Sequence, residues 1–216
     1  MMAVMPNNTI TAIQAPVPLE KSSRSQSQRQ AMVATAARWL PQRGMAAVNL
    51  IEVARAVNAP RGSMYHYFPG GRDQLLQEAL ALSSKSGLRM INKAAEAAST
   101  PQEFIRNIFR TGARQLNGDA FSGGCPVGAA VLSCETQDAA FKLELQQSFA
   151  QWEVAIAQAL TTLGITSKSQ AKTLARCTLI AYEGALMCAK GTRDGKVFKT
   201  ASCMVESMLD ASTQVR

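Results

Sequence analysis

The amino-acid sequence predicts an all-α protein, and three of its features carry that prediction. From Ser27 onward, apolar residues recur at helical spacing, and no clean alternation of apolar and polar residues favours strands. Alanine, leucine and methionine are common in this part, whereas runs of valine, isoleucine and threonine are few. Segments containing glycine and proline divide it into helix-sized pieces. The 216 residues suffice for one or two domains with a core.

The N-terminal residues lack this helical pattern. Residues 1–25 are rich in proline, asparagine, serine and glutamine and show no period, which predicts a disordered arm. They also lack a basic segment followed by an apolar one, so no secretory signal is expected. No run of 18 apolar residues occurs anywhere, so neither a transmembrane helix nor a membrane partner is expected. The expected location is the cytoplasm.

Ten helices are predicted after the arm. The breaks between them fall at segments such as FPGG at 68–71 and GDAFSGGCP at 118–126. Asn49 is a good N-cap for the second helix, and Asn58 tolerates the left-handed conformation that a sharp turn needs. The predicted helices cover about 27–43, 50–57, 60–67, 72–85, 86–98, 101–117, 126–134, 137–163, 167–190 and 194–212.

The net charge of +8 is concentrated near the N-terminus. Residues 21–80 contain eight basic residues against three acidic ones, a net charge of +5. A basic protein of this size suggests an anionic partner, and nucleic acid is the commonest such partner.

Residues 48–72, VNLIEVARAVNAPRGSMYHYFPGGR, predict two short helices joined by a tight turn. This is the arrangement of a helix-turn-helix, whose second helix enters the major groove of DNA. Met64 and Phe68 are predicted to face the core, because such a helix needs a buried back and a polar front. Arginine reads guanine edges, and helix N-termini hold phosphates. The predicted contacts are Arg61 and Ser63 with base edges, Gly62 for close backbone approach, Tyr65 with a thymine methyl or a phosphate, and Asn49, His66, Tyr67 and Arg72 with phosphates.

The chemistry-bearing side chains disfavour an enzyme and a metal site. His66 is the one histidine of the chain, which excludes HExxH zinc chemistry and multi-histidine metal centres. No GxGxxG or GxxxxGK[ST] loop is present, and the five cysteines form no CxxC pair. We therefore predict no metal, no cofactor and no catalytic activity.

Cys125 allows a second interpretation of the function. It lies between Gly124 and Pro126 and so is expected at a helix N-terminus, where the dipole lowers the pKa of a thiol. A regulator that senses oxidants or electrophiles through this thiol is an alternative to a purely structural cysteine. A disulfide with Cys134 is not expected, because nine helical residues separate the two thiols by about 13 Å.

The middle helices are predicted to enclose a small ligand. Apolar walls with a few polar tips suit an aromatic or lipophilic molecule, although ordinary core packing is the alternative for each residue. The candidate effector-pocket residues are Met90, Phe104, Ile108, Phe121, Cys125, Phe149, Trp152, Tyr182, Glu183 and Met187.

The last two predicted helices are candidates for packing against a second copy of the chain. The helix at 167–190 has small residues three or four positions apart, which permits close helix approach, and the helix at 194–212 has an apolar stripe. Together they could form a four-helix interface across a two-fold axis, with packing inside one chain as the alternative. The candidate interface residues are Ala181, Gly184, Ala185, Val197, Ala201, Met204, Val205 and Met208.

The segment from Ala36 to Leu76 resembles the DNA-binding domain of TetR-family transcriptional regulators. The sequence departs from the family pattern at Asn58, where a glycine is usual, and by one extra residue in FPGGR. That insertion resembles the LmrA/YxaF-like branch, as do GCPVGAAVLSCE at 124–135, Trp152 and EGALMCAKGTRD at 183–194, so the resemblance covers about residues 28–200. The matching positions are Ala36, Leu40, Gly44, Asn49, Val53, Ala54, Asn58, Arg61, Gly62, Ser63, Met64, Tyr65 and Phe68.

The resemblance implies a homodimeric repressor on a palindromic double-stranded operator. It implies a helix-turn-helix domain at 26–72, with the motif at about 48–67, and an effector-binding and dimerisation domain at 73–216. A small effector, aromatic in this branch, would loosen DNA binding, and the protein would lie on the nucleoid while bound to its operator. The alternative from another class is a small-molecule binding protein without a DNA role.

Overall fold

Nine α-helices and one 3-10 turn account for most of the residues that the computed structural model describes, 19–133 and 139–213. No strand occurs in those ranges, in agreement with the predicted all-α class. The helices are α1 (Leu19–Arg43), α2 (Leu50–Ala56), α3 (Met64–Tyr67), α4 (Gly71–Glu96), α5 (Pro101–Gly118), α6 (Pro126–Ser133), α7 (Ala139–Thr162), α8 (Lys168–Thr192) and α9 (Lys196–Thr213), and the 3-10 turn is Arg61–Ser63.

Most of the predicted helix ends agree with the structure to within two residues, because local capping signals fix them. Each cap satisfies a backbone N–H that the first turn of the helix leaves without a partner. Asn49 accepts from Ile51 N (2.8 Å) before α2, Thr100 accepts from Glu103 N (3.2 Å) before α5, and Ser167 accepts from Gln170 N (3.3 Å) before α8.

The start of the first helix was predicted too late. Helix α1 begins at Leu19 rather than at residue 27, so 19–25 of the predicted arm are helical, while residues 1–18 of that arm lie outside the described residues. No glycine or proline occurs between 19 and 40, so the helix can propagate toward the N-terminus. The predicted stop is confirmed: Gly44 has φ +74 and donates to Leu40 O at 2.9 Å.

The predicted break at residue 85 is wrong, because α4 runs unbroken from Gly71 to Glu96. The hydroxyls of Ser83 and Ser86 donate to carbonyls one turn back, at 2.7 and 2.9 Å, and do not interrupt the helix. Gly87 is helical because α7 packs against it: a Cβ there would lie 2.6 Å from Cε2 of Trp152. The glycine therefore marks a close approach and not a helix end.

Helices α1 and α4 connect the N-terminal helices to the rest of the molecule. Both contact α2, while α1 also packs on α6 and α4 on α5 and α7. The larger core continues from α7 to α8, α9 and α5, and α5 contributes its most regular buried stripe. No helix in the described part of the chain is long and apolar enough to cross a membrane.

Candidate DNA-binding and ligand-binding sites

The turn between α2 and α3 has the geometry of a helix-turn-helix. Asn58 adopts the predicted left-handed conformation, with φ +53, and Ala59 N donates back to Ala54 O at 2.8 Å. Pro60 then starts the next element: Ser63 N donates to Pro60 O at 3.0 Å and closes the 3-10 turn that leads into α3. The predicted third helix is thus a 3-10 turn followed by one α-helical turn.

Helix α3 separates a buried back from an exposed front. Met64 and Phe68 are buried in the core, as predicted, whereas Tyr65 is 69% exposed and His66 is exposed. A Cβ at Gly62 would meet nothing within 4 Å, so the backbone there is open to a close approach. The structure thus brings Gly62, Tyr65 and His66 to one accessible surface.

Other predicted contacts have partners within the protein. Ser63 Oγ donates to Pro60 O (2.7 Å), and Tyr67 Oη donates to Gln28 Oε1 (3.2 Å). These groups build the motif, as does Asn49 through its cap. Each stays near the surface of the motif.

Arg72 has a structural role that the sequence reading missed. Its Nε donates to Val48 O at 3.0 Å, its Nη2 donates to Met45 O, and its Nη1 lies 3.5 Å from Asp73. The guanidinium therefore ties the start of α4 to the loop before α2. Glu52 in the first turn of α2 likewise has a partner within the protein, because its carboxylate pairs with Arg43 at 3.3 Å.

Arg29 on α1 is a supporting residue that the sequence reading also missed. Its Nε donates to Tyr67 O at 3.2 Å, its Nη2 pairs with Glu78 on α4, and its Cζ lies 5.0 Å from the centre of the Phe68 ring. The Arg29 side chain therefore holds the end of α3, the predicted recognition helix, against both α1 and α4. The only sequence signal is its place one turn before the buried pair Met32 and Val33.

A cavity of about 480 Å³ lies between α1, α4, α5, α7 and α8. Its walls are mostly apolar, which suits a small organic ligand. Six of the predicted pocket residues line it: Met90, Ile108, Cys125, Trp152, Tyr182 and Glu183.

Four predicted pocket residues do not line this cavity. Phe104 is fully buried in the core, and Met187 is 63% exposed on the outside of α8. The ring of Phe149 meets Trp152 edge to face, with centroids 5.5 Å apart, and the ring of Phe121 lies 5.8 Å from Cζ of Arg193. The positions of these side chains depend on their packing partners, which hydrophobicity alone does not reveal.

Several lining residues were not predicted, because the space depends on small side chains from different helices. Gly87 and Gly112 line the cavity and let the rings of Trp152 and Tyr182 pack directly against α4 and α5. Helix α1 contributes Ala34, Ala37 and Arg38, which the sequence analysis assigned only to the DNA-binding domain. The polar lining residues include Gln115 and Asp119 as well as Arg38.

The thiol of Cys125 behaves opposite to the prediction. It stands directly before α6 and accepts from Gly128 N at 3.2 Å, but burial raises its pKa well above the usual range, and the nearby Glu183 raises it further. Burial also raises the pKa of Glu183 and of Tyr182. The expected lowering by the helix dipole is wrong, because desolvation outweighs it. A neutral thiol is a weak nucleophile, which disfavours the thiol-sensing alternative.

The predicted dimer residues fall on both sides of α8 and α9. Ala181, Ala185 and Val205 are buried inside the single chain, so their assignment to an outer surface is wrong. Met204 and Met208 are 54% and 39% exposed. Gly184, Val197 and Ala201 are half-buried, and a Cβ at Gly184 would meet nothing within 4 Å.

In the described part of the chain, no group of three or more histidine, cysteine, aspartate or glutamate side chains could hold a metal ion.

Comparison with known proteins decides the family. Residues 33–79 match the family model of bacterial regulatory proteins, tetR family, and residues 101–204 match that of the LmrA/YxaF-like transcriptional regulator C-terminal domain. An uncharacterized HTH-type transcriptional regulator of Mycobacterium tuberculosis is 34% identical over 174 residues, 78% of this chain and 87% of that protein. The chain belongs to the TetR family of transcriptional regulators. YxaF of Bacillus subtilis is 27% identical over 173 residues, 80% of this chain and 90% of YxaF.

Solved TetR-family structures have the same fold. The regulatory protein TetR from Rhodobacter sphaeroides has a TM-score of 0.74 at 20% identity, covering 84% of this chain and 98% of that one. A cysteine mutant of CifR in complex with a 26-bp double-strand operator DNA has a TM-score of 0.68 at 20% identity, covering 84% and 95%. As a TetR-family regulator the present protein is a DNA-binding transcription factor and not an enzyme.

Proposed function

We propose that this TetR-family regulator is a dimeric repressor that a small aromatic or lipophilic ligand releases from its operator. The observation that carries the proposal is that α1 belongs to both sites. Ala34, Ala37 and Arg38 line the cavity, while Gln28 and Arg29 on the same helix hold the recognition helix. A ligand that displaces α1 therefore acts directly on the DNA-reading surface.

The proposed DNA contacts follow from the exposed front of α3. Tyr65 and His66 project from it, Gly62 lets the backbone approach, and Arg61 and Ser63 stand at its start, where base edges are read. Asn49, Tyr67 and Arg72 position the motif beside the flanking phosphates. In this proposal residues 26–72 form the DNA-binding unit and residues 73–216 the ligand-binding and dimerisation unit, which is consistent with the two family matches.

Replacing Tyr65 by alanine tests the DNA-contact proposal. Operator affinity should fall by about tenfold, because one base or phosphate contact contributes about 1 to 3 kcal/mol. The melting temperature should stay unchanged, since the side chain is 69% exposed. Affinity is measured by fluorescence anisotropy at fixed salt on an operator selected from random duplexes.

Tyr65→Phe is the matched control, because it separates the ring from the hydroxyl, and Arg61→Ala tests the neighbouring position. Full operator affinity in both alanine variants would show that α3 does not read DNA.

The proposed dimer surface consists of exposed apolar stripes on α8 and α9. Ile180, Gly184 and Met187 recur on α8 at spacings of four and three, and Met204 and Met208 lie four apart on α9. Ile180 is 66% and Met187 is 63% exposed. Because α8 and α9 pack side by side, two copies would form a four-helix interface.

The double variant Met187→Glu, Met204→Glu should convert the dimer to a monomer, because pairing two-fold copies would bury unpaired carboxylates. Light scattering should report a mass near 23.1 kDa for the variant and about twice that for the parent. Leu132→Glu is the control: this leucine of α6 is 78% exposed and lies outside the stripes. A double variant that remains dimeric would place the interface elsewhere.

A further inference from the structure

One wall of the cavity is acidic. Glu183 lies against α6 at Gly128, where a Cβ would lie 2.8 Å from Glu183 Oε2 and 3.7 Å from Sγ of Cys125. The hydroxyl of Tyr182, the next residue on α8, has the thioether sulfur of Met90 as its polar contact, at 3.6 Å. A carboxyl, a thiol and a phenol therefore converge on one side of the space.

No cation in the described part of the chain, residues 19–133 and 139–213, neutralises this wall. Within the described part of the chain, Glu183 makes no ion pair, and Arg38 is the only basic residue among those that line the cavity. Arg38 is exposed on α1, and Asp119 adds a second carboxyl to the lining. The Cys125 thiol hydrogen-bonds the Glu183 carboxyl, but no cation among the described residues pairs with it, and burial therefore raises the pKa of Glu183.

The remaining walls suit the apolar part of a ligand. The rings of Trp152 and Tyr182 line the cavity, and such rings stack on aromatic ligands and attract cations. Trp152 is fixed in place by the bond from its Nε1 to Ser84 O, at 3.0 Å. The volume of about 480 Å³ lies in the range of cavities that hold small organic molecules.

We propose that this cavity binds a lipophilic organic cation, an aromatic compound whose ammonium group pairs with the Glu183 carboxylate. The proposal rests on the proposed function, since it assigns a ligand class to the same effector cavity. The ammonium supplies the cationic partner that the carboxyl lacks, and its desolvation is offset by the charge pair and the adjacent rings. A neutral ligand gains only a hydrogen bond from the acid, and an anionic ligand is repelled.

Binding of such a cation should be coupled to the ionisation of Glu183. The other charged or titratable groups that line the cavity are Arg38, Asp119, Cys125 and Tyr182. Burial raises the pKa of Cys125 and of Tyr182, so both stay neutral near neutral pH. The Glu183 carboxyl must lose its proton to pair with the ammonium. Affinity for the cation should therefore increase as the pH rises through the raised pKa of Glu183.

Three matched probes test the proposal on the full chain: 9-(aminomethyl)anthracene, 9-anthracenemethanol and 9-anthracenecarboxylate, which share one ring system and differ in charge. Their fluorescence gives dissociation constants between about pH 5 and about pH 8. The amine should bind about tenfold more tightly than the alcohol at the upper end, as expected for a charged pair. The carboxylate should bind most weakly.

Two variants locate the charge. Glu183→Gln keeps the shape and removes the ionisable group, so the preference for the amine and its pH dependence should both disappear. Glu96→Gln makes the same change at an exposed position of α4 outside the cavity and should change neither. An alcohol that binds as tightly as the amine, or a preference that survives in Glu183→Gln, would overturn the proposal.

Operator release is measured separately, so that the two proposals fail in different ways. If the amine binds through Glu183 but leaves operator affinity unchanged, the cation site stands and the inducible repressor does not. If the alcohol or the carboxylate binds best and releases the operator, the repressor stands and the cation class is wrong. If no probe binds at any pH, the cation class is overturned.

Discussion

Replacing Arg29 by methionine should lower operator affinity by about tenfold while the C-terminal helices stay folded. The guanidinium bonds to Tyr67 O, pairs with Glu78 and lies over Phe68, so its loss releases the end of α3. Hydrogen bonds to charged groups contribute about 1.5 to 3 kcal/mol, and partial exposure of this pair favours the lower value. Anisotropy titration with operator DNA measures the effect.

Arg176→Met is the matched control for this prediction. Arg176 makes two bonds to Glu153, at 3.0 and 3.2 Å, and links α8 to α7 far from the recognition helix. Its removal should leave operator affinity unchanged. Equal losses in the two variants would mean that Arg29 acts on overall stability and not on the placement of α3.

Replacing Gly112 by alanine should lower the free energy of unfolding by about 2 kcal/mol, because overpacking a dense core forces neighbours to move. The new Cβ would lie 2.7 Å from Cε2 of Tyr182 and 2.8 Å from Cε1 of Phe198. Phe198 belongs to α9, which packs on α5, and it is almost fully buried, so it has little room to shift. Urea unfolding with an unchanged slope measures the loss.

Gly118→Ala is the control on the same helix. A Cβ there would meet nothing within 4 Å, so the higher helix propensity of alanine should leave stability equal or slightly raised. Gly112 is buried in the middle of α5, whereas Gly118 is the exposed last residue of the helix. A Gly112→Ala protein as stable as Gly118→Ala would show that the rings of Tyr182 and Phe198 yield easily.

Local signals were sufficient to predict the DNA-reading motif. The cap of Asn49, the left-handed turn at Asn58 and the start at Pro60 depend on residues close to one another in the chain, so the sequence predicts them directly. The predicted break at residue 85 was wrong because a contact between distant residues decides the structure there. Trp152, which packs against Gly87, lies 65 positions later in the chain, and this tertiary packing overrode the local preference.

The cavity and the outer surface were harder to predict, because neighbouring positions of one helix have different environments. Phe104 and Ile108 lie one turn apart on α5, yet the first is core and the second lines the cavity. Val205 is buried beside the exposed Met204. Apolar spacing identifies a stripe, but only the packing of other helices decides whether core, ligand or a second copy covers it.

Because α4 is continuous, a rotation of this helix beside the cavity also moves its end beside the recognition helix. Gly71 lies about 24 Å along the helix axis from Gly87, where the Trp152 ring packs against α4. Because α4 has no break between these points, a rotation of α4 by about 5° about Gly87 would move its N-terminal end, next to the recognition helix, by about 2 Å. In the proposed dimer two such arcs add, while successive major grooves stay about 34 Å apart. A displacement too small to disturb the core would thus be enough to move both recognition helices out of register with the major groove.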